Sequence, residues 1–483
     1  MNGPLRRLSV IVVSLFVVLM GAGTWVQFVT AGRLQDDPRN SRALFAELGR
    51  ERGPILVEGE AVALSEEVDD RFRYQRLYPA GPLWAHATGV YSVVFGATGL
   101  EEAANDLLSG TSDDLFYRRL SDLLTGREPG GAVVETTLDA AVQEAAAQAL
   151  GDQEGAVVAL DPRTGEVLAM VSSPSYDPNA LASHDAEAVR AARQELLEDP
   201  GDPLVNRAIG GDLYPPGSVF KLVTAAAALE AGSTPESALT GVAELDLPQT
   251  TATIGNSGGG GCGSGGQVSL ADALRVSCNT AFAALGMELG TDALVERARA
   301  FGFGEELSIP LRVTPSSVPA SMAPPQLAQA SIGQYEVRVT PLQVAVLSAA
   351  VANGGVVMRP NLVSAVRGDD LEVLQAPEPT ELGRATSEQT AQALTAMMVG
   401  VVESGTGTAA QVDGVQVAGK TGTAQHAEGR APHAWFTGFA PAGDPRVAVA
   451  VVVEEGGSAG DQASGGRTAA PIAREVVEAV LAQ

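Results

Sequence analysis

Lysine is almost missing from this 483-residue chain: of 31 Lys and Arg residues, only Lys221 and Lys420 are lysine. Arginine stays protonated at any ordinary pH, whereas a desolvated lysine can lose its proton and act as a base or proton shuttle. Amine base chemistry is therefore confined to two positions, Lys221 in Ser218-Val219-Phe220-Lys221 and Lys420 in Lys420-Thr421-Gly422-Thr423. The shortage, alongside abundant Ala, Gly and Arg, also fits a GC-rich coding bias, and on that reading the surviving lysines are those that arginine could not replace. Positive charge is scarce overall, since 58 acidic residues leave a formal net charge of −27 and a pI near 4.5. Phosphate binding relies on clustered cations, so this balance argues against a nucleic-acid partner and reads as a solvated acidic surface. Cysteine occurs twice, at Cys262 and Cys278, which permits one bridge or two free thiols.

One long apolar run is present. Leu8 to Val29 is 22 residues without a charge, and as a helix it would extend roughly 33 Å, enough for a bilayer core. Arg6 and Arg7 precede it, whereas Arg33 is followed closely by Asp36 and Asp37. This bias predicts a cytoplasmic tail at 1–7, a transmembrane anchor at 8–29 and the bulk of the chain outside the membrane. A cleaved signal peptide would have an apolar region of about 7–15 residues and a small-residue cleavage site. Val29-Thr30-Ala31 fits that poorly, so a retained anchor is expected. In the oxidising compartment beyond the membrane, Cys262 and Cys278 are expected to pair, closing a loop worth roughly 3 kcal/mol in the chain-entropy view.

The rest divides in two. Residues 33–131 are mixed, with a strand-like Arg71-Phe72-Arg73-Tyr74 and helix-like runs from Leu100 to Leu124, and show no metal cluster, phosphate loop or catalytic triad. They are expected to form a membrane-proximal pedestal. The breakers Glu128-Pro129-Gly130-Gly131 lead into an α/β (α+β) domain at 132–483. There Ala132–Thr137 reads as a strand, Asp139–Leu150 as an Ala-rich helix, and Ala156–Leu160 with Glu166–Val171 as a hairpin. Ser218–Ala231, Gln389–Glu403 and Thr468–Leu481 read as helices and Val447–Glu454 as a buried strand. The glycine-rich 255–266 reads as a flexible loop without the cations a phosphate cradle would need, and Glu454–Gly466 as an acidic surface loop.

Three motifs carry chemistry. Pro215-Pro216-Gly217 should start a helix at Ser218, placing Ser218 and Lys221 one turn apart on one face, where a neutral amine can take the hydroxyl proton and exposed amides favour an oxyanion. Ser277-Cys278-Asn279 lies between helix-like segments. Ser277 could relay a proton from Lys221, and Asn279 offers a donor and an acceptor to a peptide-like substrate. An ordinary cap or Asx-turn would give the same letters. Lys420-Thr421-Gly422-Thr423 follows the strand-like Val415–Ala418, with hydroxyls and an ammonium suited to a terminal carboxylate and Gly422 allowing close backbone approach. Gly414 to Thr421 also matches the phosphate-loop pattern G-x-x-x-x-G-K-[ST]. That pattern needs a helix starting at the lysine, and a Gly/Pro-punctuated stretch follows instead. His426, His433 and Trp435 lie just beyond and could line a cleft, with core or surface roles expected.

Taken together and in this order, the Ser-x-x-Lys, Ser-x-Asn and Lys-Thr-Gly motifs resemble the penicillin-binding protein and serine β-lactamase family. Asp37–Arg42, Arg52-Gly53-Pro54-Ile55, Ile332-Gly333-Gln334, Thr340-Pro341-Leu342-Gln343 and Glu403–Thr408 look like the class B penicillin-binding proteins, actinobacterial members above all. The resemblance implies a central antiparallel sheet flanked by helices. It also implies a D,D-transpeptidase cross-linking peptidoglycan stem peptides, acylated by β-lactam antibiotics, with no metal or cofactor. In that reading Ser218 is the nucleophile, Lys221 its base and Ser277 the proton relay, with Asn279 and Lys420 in the catalytic set. Thr421, Gly422 and Thr423 bind substrate, and the amides of Ser218 and Thr423 form the oxyanion hole. A membrane-embedded glycosyltransferase is the implied partner, beside other wall-synthesis proteins. A D,D-carboxypeptidase or serine β-lactamase on the same fold, and a non-catalytic β-lactam sensor or cell-wall scaffold, are the alternatives.

Overall fold

The structure is a computed structural model that describes residues 2–29, 49–112, 115, 130–368, 372–427 and 429–483. The Asp37–Arg42 segment, most of the run from 113 to Leu124, and Glu128-Pro129 lie outside the described residues. Helix α1 (Asn2–Thr24) continues into a π-helical turn, Trp25–Val29, and its described side chains are exposed. Among the described residues it is the one helix long and apolar enough to cross a membrane.

The strands of the two large sheets are β1 (Ile55–Val57), β2 (Glu60–Glu67), β3 (Tyr74–Leu77), β4 (Val133–Thr136), β5 (Gly155–Leu160), β6 (Val167–Ser173), β7 (Val363–Arg367), β8 (Val373–Gln375), β9 (Ala418–Ala424), β10 (His433–Ala440) and β11 (Val447–Val453). The helices after α1 include α2 (Ala140–Leu150), α3 (Lys221–Glu230), α4 (Asn279–Leu289), α5 (Pro341–Ala352), α6 (Glu388–Ser404) and α7 (Ala470–Leu481).

Six strands form one sheet in the order β8-β7-β4-β1-β2-β3. β4 runs parallel to β1, and β7 pairs antiparallel with β4, so strands from 133–136 and 363–367 complete the sheet begun by residues 55–77. The sheet thus crosses the division expected near 131. The expected strand at Arg71 starts later, at Tyr74: Arg73 takes φ 67° in a turn where Val68 N donates to Arg73 O at 2.7 Å. Beside the sheet, Arg52 Nε and Arg76 Nε donate to the two oxygens of the fully buried Glu101 at 2.5 and 2.6 Å. Burial pushes the Glu101 carboxyl up, but the Arg76 and Arg52 guanidiniums hold it below its ordinary value.

The second large sheet is antiparallel, in the order β9-β10-β11-β5-β6. Its central strands β5 and β11 are apolar throughout because both faces are covered. Val157, Ala159, Val449 and Val451 face a core shared with Val142 and Ala146 of α2 and Ile472 and Val476 of α7. Ala156, Val158, Ala448 and Ala450 face the other core, beneath Val344 and Leu347 of α5. Each such Val, Leu or Ile side chain fully removed from water contributes about 1.5–3 kcal/mol, and each alanine methyl about 0.8 kcal/mol. Asp139 caps α2, its carboxylate accepting from Val142 N at 2.9 Å. β9 is the sheet's edge strand, packed against α6 and against the turn that carries Ser218.

Candidate active site

Pro215-Pro216-Gly217 shapes the entry to α3. Gly217 has φ 52°, and a Cβ there would sit 2.7 Å from Thr423 O, so glycine lets this turn lie directly on β9. Two further bonds fix it: Trp435 Nε1 donates to Pro215 O at 3.2 Å, and Gly217 N donates to Gly333 O at 2.9 Å. Ser218 lies in a 3₁₀ turn, Gly217–Phe220, with the α-helix beginning at Lys221. The expected helix start at Ser218 is therefore tighter than an α-helical one. Its amide falls in the first turn, where backbone N–H groups have no intrahelical acceptor.

Lys221 and Lys420 are fully buried and converge on one hydroxyl. Lys420 Nζ lies 2.9 Å from Ser277 Oγ and donates to Thr421 O at 2.8 Å. Lys221 Nζ lies 3.3 Å from the same Oγ and donates to Ser277 O at 2.7 Å and Asn279 Oδ1 at 2.8 Å. Ser277 reaches both amines from a left-handed backbone, φ 60°. Neither amine pairs with a carboxylate among the described residues. Burial, and then the charge of Lys420, holds Lys221 well below its ordinary value, and burial brings Lys420 down to about 7. A neutral Lys221 has two N–H groups for the two carbonyl acceptors and one lone pair left over, which is what a base needs. Ser218 Oγ makes no side-chain hydrogen bond among the described residues, so the direct Ser218–Lys221 bond expected from the i, i+3 spacing is not formed in this state.

Thr421, Gly422 and Thr423 lie within β9 itself, one strand unit with Lys420. Lys420 sits inside the strand and not at the start of a helix, which rules out the phosphate-loop geometry. A Cβ on Gly422 would approach Trp435 Cβ to 2.8 Å and Pro216 O to 3.0 Å. These elements enclose a cleft of about 780 Å³ lined by Ser218, Ser277, Asn279, Thr421, Gly422 and Thr423, among others, and no charged side chain lines it among the described residues. Trp435 is core, and His433 is buried with its imidazole lowered to about 4 by burial and by His426 and Arg430. His426 stacks on His433 at 4.0 Å, and Gln425 rather than either histidine lines the cleft.

Cys262 and Cys278 are bridged, which ties the glycine-rich loop to the middle of the Ser-x-Asn motif. On that loop lies Asn256, which carries no motif signal of its own. Asn256 Oδ1 accepts from Asn279 N at 2.9 Å and Thr280 N at 3.1 Å, capping α4, while its Nδ2 donates to Val242 O and Gly260 O. Thr406 was visible only within the Glu403–Thr408 resemblance; its hydroxyl meets that of Thr421 at 2.6 Å. The end of the expected surface loop is in fact cleft wall: Gly465 is buried, and a Cβ there would lie 2.6 Å from Gly422 O.

Residues 155–478 match the penicillin binding protein transpeptidase domain, and residues 52–134 match the penicillin binding protein A dimerisation domain. The chain is 46% identical over 490 residues to the peptidoglycan D,D-transpeptidase PbpA of Mycolicibacterium smegmatis, covering 100% of this chain and 99% of that protein. The ceftriaxone acyl-enzyme complex of penicillin-binding protein A from Mycobacterium tuberculosis aligns with a TM-score of 0.88 and 46% identity, over 90% of this chain and 100% of that one. The penicillin G acyl-enzyme complex of the same protein gives 0.85 and 46%, over 89% and 100%. The two buried lysines, the cleft and these likenesses lead to one statement: the chain belongs to the class B penicillin-binding protein transpeptidases.

Proposed function

We propose that this protein is a peptidoglycan D,D-transpeptidase that joins stem peptides through an acyl-enzyme on Ser218 and is blocked by β-lactams that acylate the same serine. The observation that carries this is Ser277 Oγ lying between the amines of Lys221 and Lys420 in a cleft that also holds Ser218. Neutral Lys221 takes the Ser218 proton as Oγ bonds to the carbonyl of the penultimate D-Ala. The carbonyl oxygen, now negative, is held by the amides of Ser218 and Thr423, an arrangement often worth about 3–4 kcal/mol per donor in the transition state. As the C–N bond breaks, Ser277 hands a proton from the lysine pair to the departing D-Ala nitrogen. An amine of a neighbouring strand then attacks the ester, losing a proton back through Ser277, and Ser218 Oγ leaves protonated. Asn279 positions the donor's backbone amide, and Thr421, Gly422 and Thr423 receive the terminal carboxylate with the Lys420 amine buried behind them.

In this reading residues 1–7 are cytoplasmic, 8–29 anchor the chain in the cell membrane, 33–131 form the pedestal and 132–483 form the transpeptidase unit outside. A membrane-embedded glycosyltransferase supplies the glycan strands. The test is mass spectrometry of penicillin-treated protein. One adduct on the peptide containing Ser218, absent from Ser218→Ala, is expected, together with transfer of a donor peptide to an added acceptor amine. Labelling of Ser218→Ala at the wild-type rate overturns the assignment, and hydrolysis without transfer replaces it with a carboxypeptidase.

A further inference from the structure

Tyr335 occupies a backbone position that disfavours tyrosine. Its φ of 62° lies in the left-handed region, which Gly and Asn adopt readily and bulky residues rarely do. Strain of this kind persists where the surroundings over-determine it, and here they do. Gly333 N donates to Ala330 O at 2.8 Å, Gln334 N to Gln329 O at 3.0 Å, and Arg338 Nη1 to Tyr335 O at 2.9 Å. The same turn is fastened to the nucleophile's turn through the bond from Gly217 N to Gly333 O, so closely that a Cβ on Gly333 would fall 2.0 Å from Gly217 O.

What this conformation delivers is a half-buried phenol on the wall of the cleft, beside Gln329, Ile332 and Gln334. Among the described residues its hydroxyl makes no hydrogen bond and its ring pairs with no other aromatic ring. A side chain without such a partner in the fold, in a conformation that a smaller residue would relax, contributes little to stability. Its surroundings are amide and apolar, with no charge on the cleft wall, which suits the uncharged backbone of a peptide lying across the ring.

We propose that Tyr335 is a positioning residue for the acyl donor: its ring packs against the peptide on the N-terminal side of the scissile bond, and against the acylamino side chain of a β-lactam in the same place. This rests on acylation at Ser218 as proposed above. The full chain in detergent is compared as wild type, Tyr335→Asn and Tyr335→Phe, by stopped-flow acylation with penicillin G, transfer kinetics with a donor peptide, and thermal unfolding. Asn keeps the left-handed backbone and removes the ring. It is expected to leave Tm at or above the wild-type value while lowering the acylation rate constant roughly tenfold, chiefly through weaker donor binding. Phe is expected to stay within about twofold, because the ring face rather than the hydroxyl makes the contact. Wild-type acylation by Tyr335→Asn, a fall in its Tm alongside its rate, or an equal loss in Tyr335→Phe overturns the proposal. A wild-type protein that is not acylated at Ser218 overturns the underlying reading instead.

Discussion

Replacing Lys420 with methionine tests whether the cleft holds its amines against their preference for water. Burial takes the Lys420 amine from an ordinary 10.5 to about 7. At about 1.4 kcal/mol per tenfold change in proton affinity, the unfolded chain holds that proton more tightly by about 5 kcal/mol. Methionine fills a similar volume without charge, and such replacements of buried ions are often neutral or stabilising. Against the gain stand the bonds to Ser277 Oγ and Thr421 O; losing them, with a carbonyl left unpaired, costs about 2–4 kcal/mol. The variant should therefore be more stable at neutral pH by about 1–3 kcal/mol, and nearly inactive. Between about 7 and 10.5 the folded amine of the wild type is neutral while the unfolded one is charged, so the unfolded state binds more protons and wild-type stability rises with pH. Methionine lacks this rise, and its advantage should shrink by about 2 kcal/mol from roughly pH 7 to pH 9. Urea titrations of both proteins at the two pH values measure the gap. A less stable variant at neutral pH, or a gap that widens in alkali, refutes the reasoning.

Lys221→Arg is expected to slow penicillin labelling at least about 100-fold, because guanidinium accepts no proton; labelling within tenfold of wild type would dismiss Lys221 as the base. Asn256→Ala removes the cap on α4 and should cost about 1–2 kcal/mol while slowing acylation, and an unchanged acylation rate would show that the loop does not position Asn279. Glu101→Gln leaves two buried guanidiniums without their counter-charge, a loss of about 3–5 kcal/mol at neutral pH, read as a lowered midpoint in denaturant. Glu101 is held below its ordinary 4.5, so the wild type keeps this contribution at neutral pH and loses it as pH falls through that lowered value.

The catalytic sheet and its flanking helices were legible because their strands and helices carry their own signals: apolar β-branched runs at Val447–Val453 and Gly155–Leu160, an Asp cap before α2, and breakers before Ser218. Scarcity did the rest, since two lysines among many arginines left few places for a neutral amine. What could not be read was set by contacts between distant segments. Asn256 caps a helix that begins 23 residues later, and nothing in a glycine-rich string says which residue will turn inward. Gly465 belongs to a stretch that reads as solvent-exposed and is buried because it lies against the backbone of Gly422 and Trp435, which pair across β9 and β10. The strain at Tyr335 is a backbone angle, invisible in a letter.

The six-stranded sheet has a consequence for how the chain is made. Ser364 Oγ donates to Glu135 O across 229 positions, and the whole β4–β7 pairing spans a similar interval. As the polypeptide emerges, β4 must wait for its neighbour with one flank of hydrogen-bonding groups unsatisfied, a slow, non-local closure that leaves an edge open to foreign strands. A ribosome stalled anywhere between those two strands would therefore leave a half-built sheet, and a chain begun at residue 132 would keep the β4–β7 pair while leaving β4 without β1 on its other flank.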